Sequence, residues 1–224
     1  MLGIIGGTSL LFSDLPPASL ETIATPYGSA NVHRSDGAIL LLRHQRGLPP
    51  HRINVRAQLA ALAIAGVDRL IAIGSVGSLS PAISPGILLI PTDYLTIGRI
   101  PTIHDHAIVH IRPEISPELA SALSRLIPEA RYGGIYIQTQ GPRIETVAEV
   151  RMLSRLGDVV GMTLANEATL ANELGIPFAA ICTVDNCANG LAEEVLSYEH
   201  ILDISRRYCD RTASIIHRIM EGLR

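Results

Sequence analysis

At 224 residues the chain is long enough for one large domain, and 47% apolar against 17% charged residues supplies the side chains to fill a core. A net charge of −3 without a basic stripe argues against nucleic acid as a partner, and no apolar run has the length needed to cross a membrane. Cys182, Cys187 and Cys209 form neither a CxxC metal pattern nor an even disulfide set, which predicts reduced thiols in a cytoplasmic protein.

Trp is absent and Phe occurs twice, so the core must be built from Ile, Leu, Val and Ala, the composition of buried parallel strands. Leu2 to Ile5 reads as the first strand, without the basic n-region of a signal peptide. It runs into Gly6-Gly7-Thr8-Ser9, a turn whose backbone N–H groups can approach an anion. Pro16-Pro17 and Pro26-Tyr27-Gly28 mark loops and edge hairpins. Ala38 to Leu42 is the next strand, and it ends at the cationic pair Arg43-His44. Strand C-termini face the ligand crevice in a parallel sheet, and Arg can hold phosphate bidentately. Pro49-Pro50-His51 leads into a helix over Arg52 to Ala65, stopped by Gly66. Leu70 to Ile73 is a strand followed by a small-residue loop, Gly74 to Leu79. Ile87 to Ile90 and Tyr94 to Ile97 read as further strands.

His104, His106 and His110 do not predict a metal site. The i, i+4 spacing of the last two falls between Pro101 and Pro113, with no carboxylate or Cys to complete a known set. Pro117 to Leu126 is an amphipathic helix. Ile135 to Gln138 is a strand leading to Gly141-Pro142-Arg143-Ile144-Glu145-Thr146, and Val147 to Leu156 is helical. Val159 to Thr163 is a strand, Glu167 to Leu174 a helix, and Phe178 to Val184 a core strand ending at Asp185-Asn186. Ser197 can N-cap a long helix reaching about Gly222. The alternation predicts a single α/β domain over residues 1–224, with a mixed, mostly parallel central sheet flanked by helices.

Several segments, taken together and in order, resemble the trimeric purine nucleoside phosphorylases, in the methylthioadenosine and methylthioinosine phosphorylase branch. They are Gly6-Gly7-Thr8, Thr25-Pro26-Tyr27-Gly28, Arg43-His44, Pro49 to Asn54, Gly77-Ser78-Leu79, Gly141 to Thr146, and Val160-Gly161-Met162-Thr163 with Glu167. The resemblance implies phosphate-dependent cleavage of a purine nucleoside to free purine and ribose 1-phosphate, by a homotrimer using no metal or organic cofactor. It implies phosphate ligands Thr8, Arg43, His44 and Thr163, and a ribose contact at Met162. Glu145 and Asn186 would be purine contacts, with Ser75 and Ile144 also facing ribose or base, and His51 would approach the 5′ group. The residues expected to carry catalysis are Asn186, Glu145 and His44.

A carboxylate at Glu145 can accept from a purine N1–H, which only 6-oxopurines carry, and the Asn186 amide can donate to O6 or N7. This favours 5′-methylthioinosine, inosine or guanosine. If the strand end is shifted by one, Asp185 takes the purine position and adenine returns, as in a 5′-methylthioadenosine phosphorylase. The chain departs from the family pattern at Ile144 (usually Phe), Gly74 (usually Thr or Asn), Asn166 (usually Pro) and Asn189 (usually small). The rival readings are a nucleoside hydrolase and a nucleoside-binding protein with little activity.

Overall fold

A computed structural model of the chain describes residues 1–10, 12–192 and 198–223. The strands in chain order are β1 (Leu2–Gly6), β2 (Ser19–Thr25), β3 (Gly28–Ser35), β4 (Ala38–Leu42), β5 (Arg69–Ser78), β6 (Leu88–Ile90), β7 (Asp93–Thr96), β8 (Arg131–Tyr132), β9 (Ile135–Gln138), β10 (Val159–Gly161) and β11 (Phe178–Cys187). The helices are α1 (Val55–Ile64), α2 (Pro117–Leu126), α3 (Val147–Leu153), α4 (Leu164–Glu173), α5 (Tyr198–Arg207) and α6 (Cys209–Gly222).

Among the described residues the strands join one mixed sheet, ordered β2-β3-β4-β1-β5-β10-β9-β7, with β11 also paired to β5 and carrying β6 and β8. The strands around β1 are parallel and buried on both faces, which their unbroken apolar runs require. Alternate residues of β5 serve two cores. Leu70, Ala72 and Val76 face α1 and α4, whereas Ile71 and Ile73 face α2 and α6. A third, smaller cluster lies under α3, where Val150 and Leu153 meet Ile137 and Val160. The result is a helix–sheet–helix sandwich.

The sheet splits along β5, and this split positions the site. The first half of β5 pairs with β1 in parallel, the last pair being Gly6 with Ile73. Its end pairs antiparallel with β10, Gly77 with Val160 and Ser78 with Val159. Between them the β5 edge crosses a gap where β1, β4 and β10 all run out.

The structure corrects several boundaries. Gly74 to Ser78 belongs to β5 rather than to a loop, because β11 pairs with it throughout. The first helix starts at Val55, capped by the Asn54 side chain on Ala57 N, after a 3-10 turn over Pro50–Arg52. The helix beginning at Glu167 starts three residues earlier, at Leu164, and the one after Thr146 stops at Leu153, with Thr146 and Glu149 forming a capping box. The C-terminal helix is two helices, separated at Tyr208; the proposed cap Ser197 lies outside the described residues. Among the described residues no helix is long and apolar enough to cross a membrane.

Candidate active site

Arg43 and His44 follow directly from β4, and Arg43 N donates to Gly6 O at 2.7 Å, which ties the ends of β1 and β4 together. The turn after β1 lies against this pair. A Cβ added at Gly7 would come 2.6 Å from Arg43 Nη1 and 3.3 Å from His44 Nε2, so glycine is what allows the approach.

The Arg43 side chain is buried, and Glu167 takes its fork. Nε donates to Glu167 Oε1 at 2.5 Å and Nη2 to Oε2 at 2.9 Å, with both carboxylate and guanidinium nearly inaccessible. Nη1 and Nη2 also donate to Ile73 O at 3.2 Å. Burial opposes the Arg43 charge, but Glu167 outweighs it and the pKa is raised. The fork that could hold a phosphate bidentately is thus occupied within the protein. Its paired face meets a protein carboxylate, and only the outer Nη1 N–H is left to turn toward Gly7. A hint lies in the chain itself: Glu167 stands alone among Leu164, Ala165, Ala168, Leu170 and Ala171, a buried acid that needs a buried cation.

His44 is half-buried. Its Nδ1 donates to Leu48 O at 2.8 Å, which leaves Nε2 facing the glycine turn. Burial is the main reason its pKa is lowered, with the Arg43 charge adding to the effect, so the neutral ring is favoured.

The β5 edge explains Ser75. Its odd-numbered residues face the β1 and β10 side: Ile73 O receives Arg43, and just beyond the strand Leu79 N donates to Asp158 O at 2.9 Å. Its even-numbered residues face β11: Gly74 O receives Thr183 Oγ1 and Ser78 O receives Ala188 N. Ser75 is thus the odd residue opposite the gap, and its N–H points between the end of β1 and the end of β10. Gly74 faces away from that gap. A Cβ there would lie 2.8 Å from Leu164 Cδ1, so Leu164 fills the volume that a larger residue at 74 would need.

On the far side of the gap, β10 ends at Gly161-Met162-Thr163. Tyr136 Oη accepts from Thr163 N and Leu164 N, and Gln138 Oε1 accepts from Asn166 N. These side chains satisfy donors at the start of α4, including the N–H that Asn166 brings where the family usually has proline. Met162 reaches the Gly141 turn, where an added Cβ would lie 2.5 Å from its Sδ. Glu145, in the same turn, is buried. Its Oε1 accepts from Thr139 Oγ1 at 2.5 Å, and its backbone O accepts from Asn189 Nδ2 at 3.0 Å. Asn189 therefore links the segment after β11 to the Glu145 turn. Tyr136, Gln138, Thr139, Glu167 and Asn189 all escaped assignment from sequence, because their roles depend on contacts between distant segments.

The end of β11 bears on the choice between Asp185 and Asn186. The β11–β5 register shifts between Val184, opposite Val76, and Asn186, opposite Gly77, so Asp185 is the extra residue of a bulge. Asp185 is buried and accepts a hydrogen bond from Ser75 Oγ. Asn186 lies against Gly77 and Val160, with Nδ2 donating to Cys187 O at 2.8 Å. Asp185 thus meets the Ser75 side chain, and Asn186 lies over Gly77 beside Val160, one step further along the same face of β5.

A cleft of about 370 Å³ opens beside Glu145, lined by Thr139, Gln140, Gly141, Arg143, Glu149 and Met152 together with Ile97, Gly98 and Leu153. It does not include Thr8, Arg43, Ser75 or Asn186. Ile144 is half-buried in the turn, and His51 is exposed on its 3-10 turn, bonded to none of these residues. Among the described residues no group of three or more His, Cys, Asp or Glu is arranged to hold a metal ion.

A family model described as "Phosphorylase superfamily" matches residues 2–221. A probable 6-oxopurine nucleoside phosphorylase of Archaeoglobus fulgidus is 37% identical over 235 residues, covering 99% of this chain and 96% of that protein. A probable S-methyl-5′-thioinosine phosphorylase of Methanocaldococcus jannaschii is 37% identical over 215 residues, covering 91% and 85%. Among solved structures, methylthioadenosine phosphorylase from Schistosoma mansoni with adenine superposes with a TM-score of 0.89 at 23% identity, covering 99% of this chain and 91% of that one. At that identity the likeness is one of fold.

Proposed function

Since the chain belongs to the phosphorylase superfamily, we propose that it cleaves 6-oxopurine nucleosides with inorganic phosphate, releasing the purine and a ribose 1-phosphate. The substrates of this reading are 5′-methylthioinosine, inosine and guanosine. The observation that carries it is the gap in the sheet at Ser75, with the Gly7-Thr8 turn, Arg43 and His44 on one side and Met162, Thr163 and Asn186 on the other. Full-length relatives named for 6-oxopurine and methylthioinosine phosphorolysis support the same reading.

In this mechanism the oxyanion lies in the gap. Ser75 N–H, the outer Arg43 N–H and the hydroxyls of Thr8 and Thr163 donate to it, and the neutral His44 ring, with its proton on Nδ1, offers Nε2 as the acceptor for a phosphate hydroxyl. The glycosidic bond lengthens toward an oxocarbenium-like sugar, and the phosphate beneath the anomeric carbon stabilises the developing cation and then adds to it. Met162 packs against the ribose. Charge gathers on the departing base, where Asn186 Nδ2 leaves Cys187 O and donates to the purine. The second oxygen of Glu145, which accepts no hydrogen bond from the described residues, receives N1–H. Adenine presents a lone pair there, and two facing acceptors cost about 1–3 kcal/mol. Ile144 gives the base an aliphatic wall in place of an aromatic one.

The reading includes a cytoplasmic homotrimer that needs no metal or organic cofactor. Exposed Ile97, Ile100, Ile108 and Val109, on the segment after β7, supply apolar surface for subunit contact. In the assembly His51 approaches the 5′ substituent. The deciding assay measures base release from methylthioinosine, inosine, guanosine, adenosine and methylthioadenosine, with and without phosphate. Phosphate-dependent release of hypoxanthine and guanine is expected. Undiminished release without phosphate indicates a hydrolase, binding without turnover a nucleoside-binding protein, and faster release of adenine overturns the base assignment.

A further inference from the structure

The charges around the anion gap nearly cancel before any ligand arrives. Arg43 is matched by Glu167 at bonding distance, and His44 is held toward its neutral form by burial. Two buried acids have no salt bridge among the described residues, Glu145 in its own turn and Asp185 against Ser75. Asp185 accepts from Ser75 Oγ and is 6% exposed. Ser75 is the residue whose N–H faces the gap. An oxyanion bound there would lie roughly 6–8 Å from the Asp185 carboxylate, two hydrogen bonds and one residue away.

Burial pushes the Asp185 pKa up to about 6, against the bonds from Ser75 and Thr183 and the more distant charge of Arg211, which favour ionisation. The groups around it are few. On its own strand Cys182 is buried with its pKa raised mainly by burial. From α6, Arg211 Nη1 donates to Gly86 O at 2.7 Å and the guanidinium stacks on Tyr208 at 4.0 Å, while its buried Nε and Nη2 meet no hydrogen-bond partner among the described residues and it makes no ion pair with Asp185. On α5, Glu199, Asp203, Arg206 and Arg207 are exposed. From β5 only the Ser75 hydroxyl meets it.

We infer that anion binding in the gap is coupled to protonation of Asp185, which acts through Ser75 as a positioning residue for phosphate and touches no substrate atom. The inference rests on the reading that the gap holds phosphate. The ionised carboxylate repels an incoming oxyanion across a poorly solvated path. A proton taken from solvent removes that repulsion. The hydrogen bond survives in both states, because a hydroxyl both donates and accepts: Ser75 donates to the carboxylate, and accepts from the carboxylic acid. The effect is therefore one of charge, leaving the bulge in place.

The test is calorimetric titration with sulfate, which carries no proton near neutrality, in two pH 7 buffers of different ionisation enthalpy. Phosphate KM is measured alongside from pH 5 to 8.5. Wild type should take up protons on binding sulfate, and Asp185→Asn should take up markedly fewer. The ratio of wild-type to Asp185→Asn phosphate KM, in which phosphate's own ionisation cancels, should rise on the order of tenfold across that range. If Asp185→Asn fails to fold, Asp185→Ser serves in its place. Equal proton uptake in variant and wild type assigns the proton to His44 and overturns the inference, as do parallel pH curves, while phosphate-dependent turnover stands. Wild type that neither binds the anion nor depends on phosphate overturns both.

Discussion

Two buried glutamates stand on either side of the gap, and their surroundings differ. Glu167 is 1% exposed and meets Arg43 with both oxygens, whereas Glu145 is 7% exposed and engages one oxygen, on Thr139. Around Arg43 the protein satisfies its own charge and leaves directed N–H and O–H groups at the gap. At Glu145 one carboxylate oxygen has no hydrogen-bond partner among the described residues. A preorganised donor set can hold an anion without a net positive pocket, and an unfilled acceptor can select a base by the hydrogen it lacks.

The strongest way to break this contrast is to remove Glu167. Glu167→Ala leaves a buried, uncompensated guanidinium and should destabilise the fold by about 3–5 kcal/mol, read as a lowered denaturant midpoint. The double variant Arg43→Met with Glu167→Leu should recover much of that stability and still show a raised phosphate KM. A double variant with normal phosphate KM would remove Arg43 from the anion site.

The base end is tested by Asn186→Asp, which gives the base a second acceptor. It should shift the inosine-to-adenosine rate ratio toward adenosine by roughly tenfold or more, for a mispairing of about 1–3 kcal/mol. An unchanged ratio would take Asn186 away from the purine. The smallest effect concerns Gly74→Thr, which restores the residue type usual in the family. Crowding against Leu164 should cost about 1–3 kcal/mol by denaturant titration, and Leu164→Ala in the same chain should relieve part of it. No loss in Gly74→Thr alone would mean that Leu164 yields easily.

Much of the scaffold was legible in the chain. Apolar runs such as Leu2–Ile5 and Phe178–Val184 marked buried strands, because a parallel strand covered on both faces has no polar side to show. Boundaries were less legible where tertiary pairing extended an element, as at Gly74–Ser78, whose small residues read as loop until β11 lies beside them. The site was legible as segments and illegible as contacts. Glu145, Asn186 and Arg43 stood out by residue type and place, yet Thr139, Tyr136 and Gln138 acquire meaning only from what they meet across the fold.

The sequence by itself determined the α/β alternation, the family pattern and the small set of polar residues at strand ends. Those features are local, set by hydrophobic period and by glycines that permit close approach. The tertiary structure decided which carboxylate neutralises Arg43, which edge of β5 faces the gap, and which of two adjacent residues meets Ser75. Each is a matter of register. One extra residue in a strand turns Asp185 onto Ser75 and sets Asn186 over Gly77.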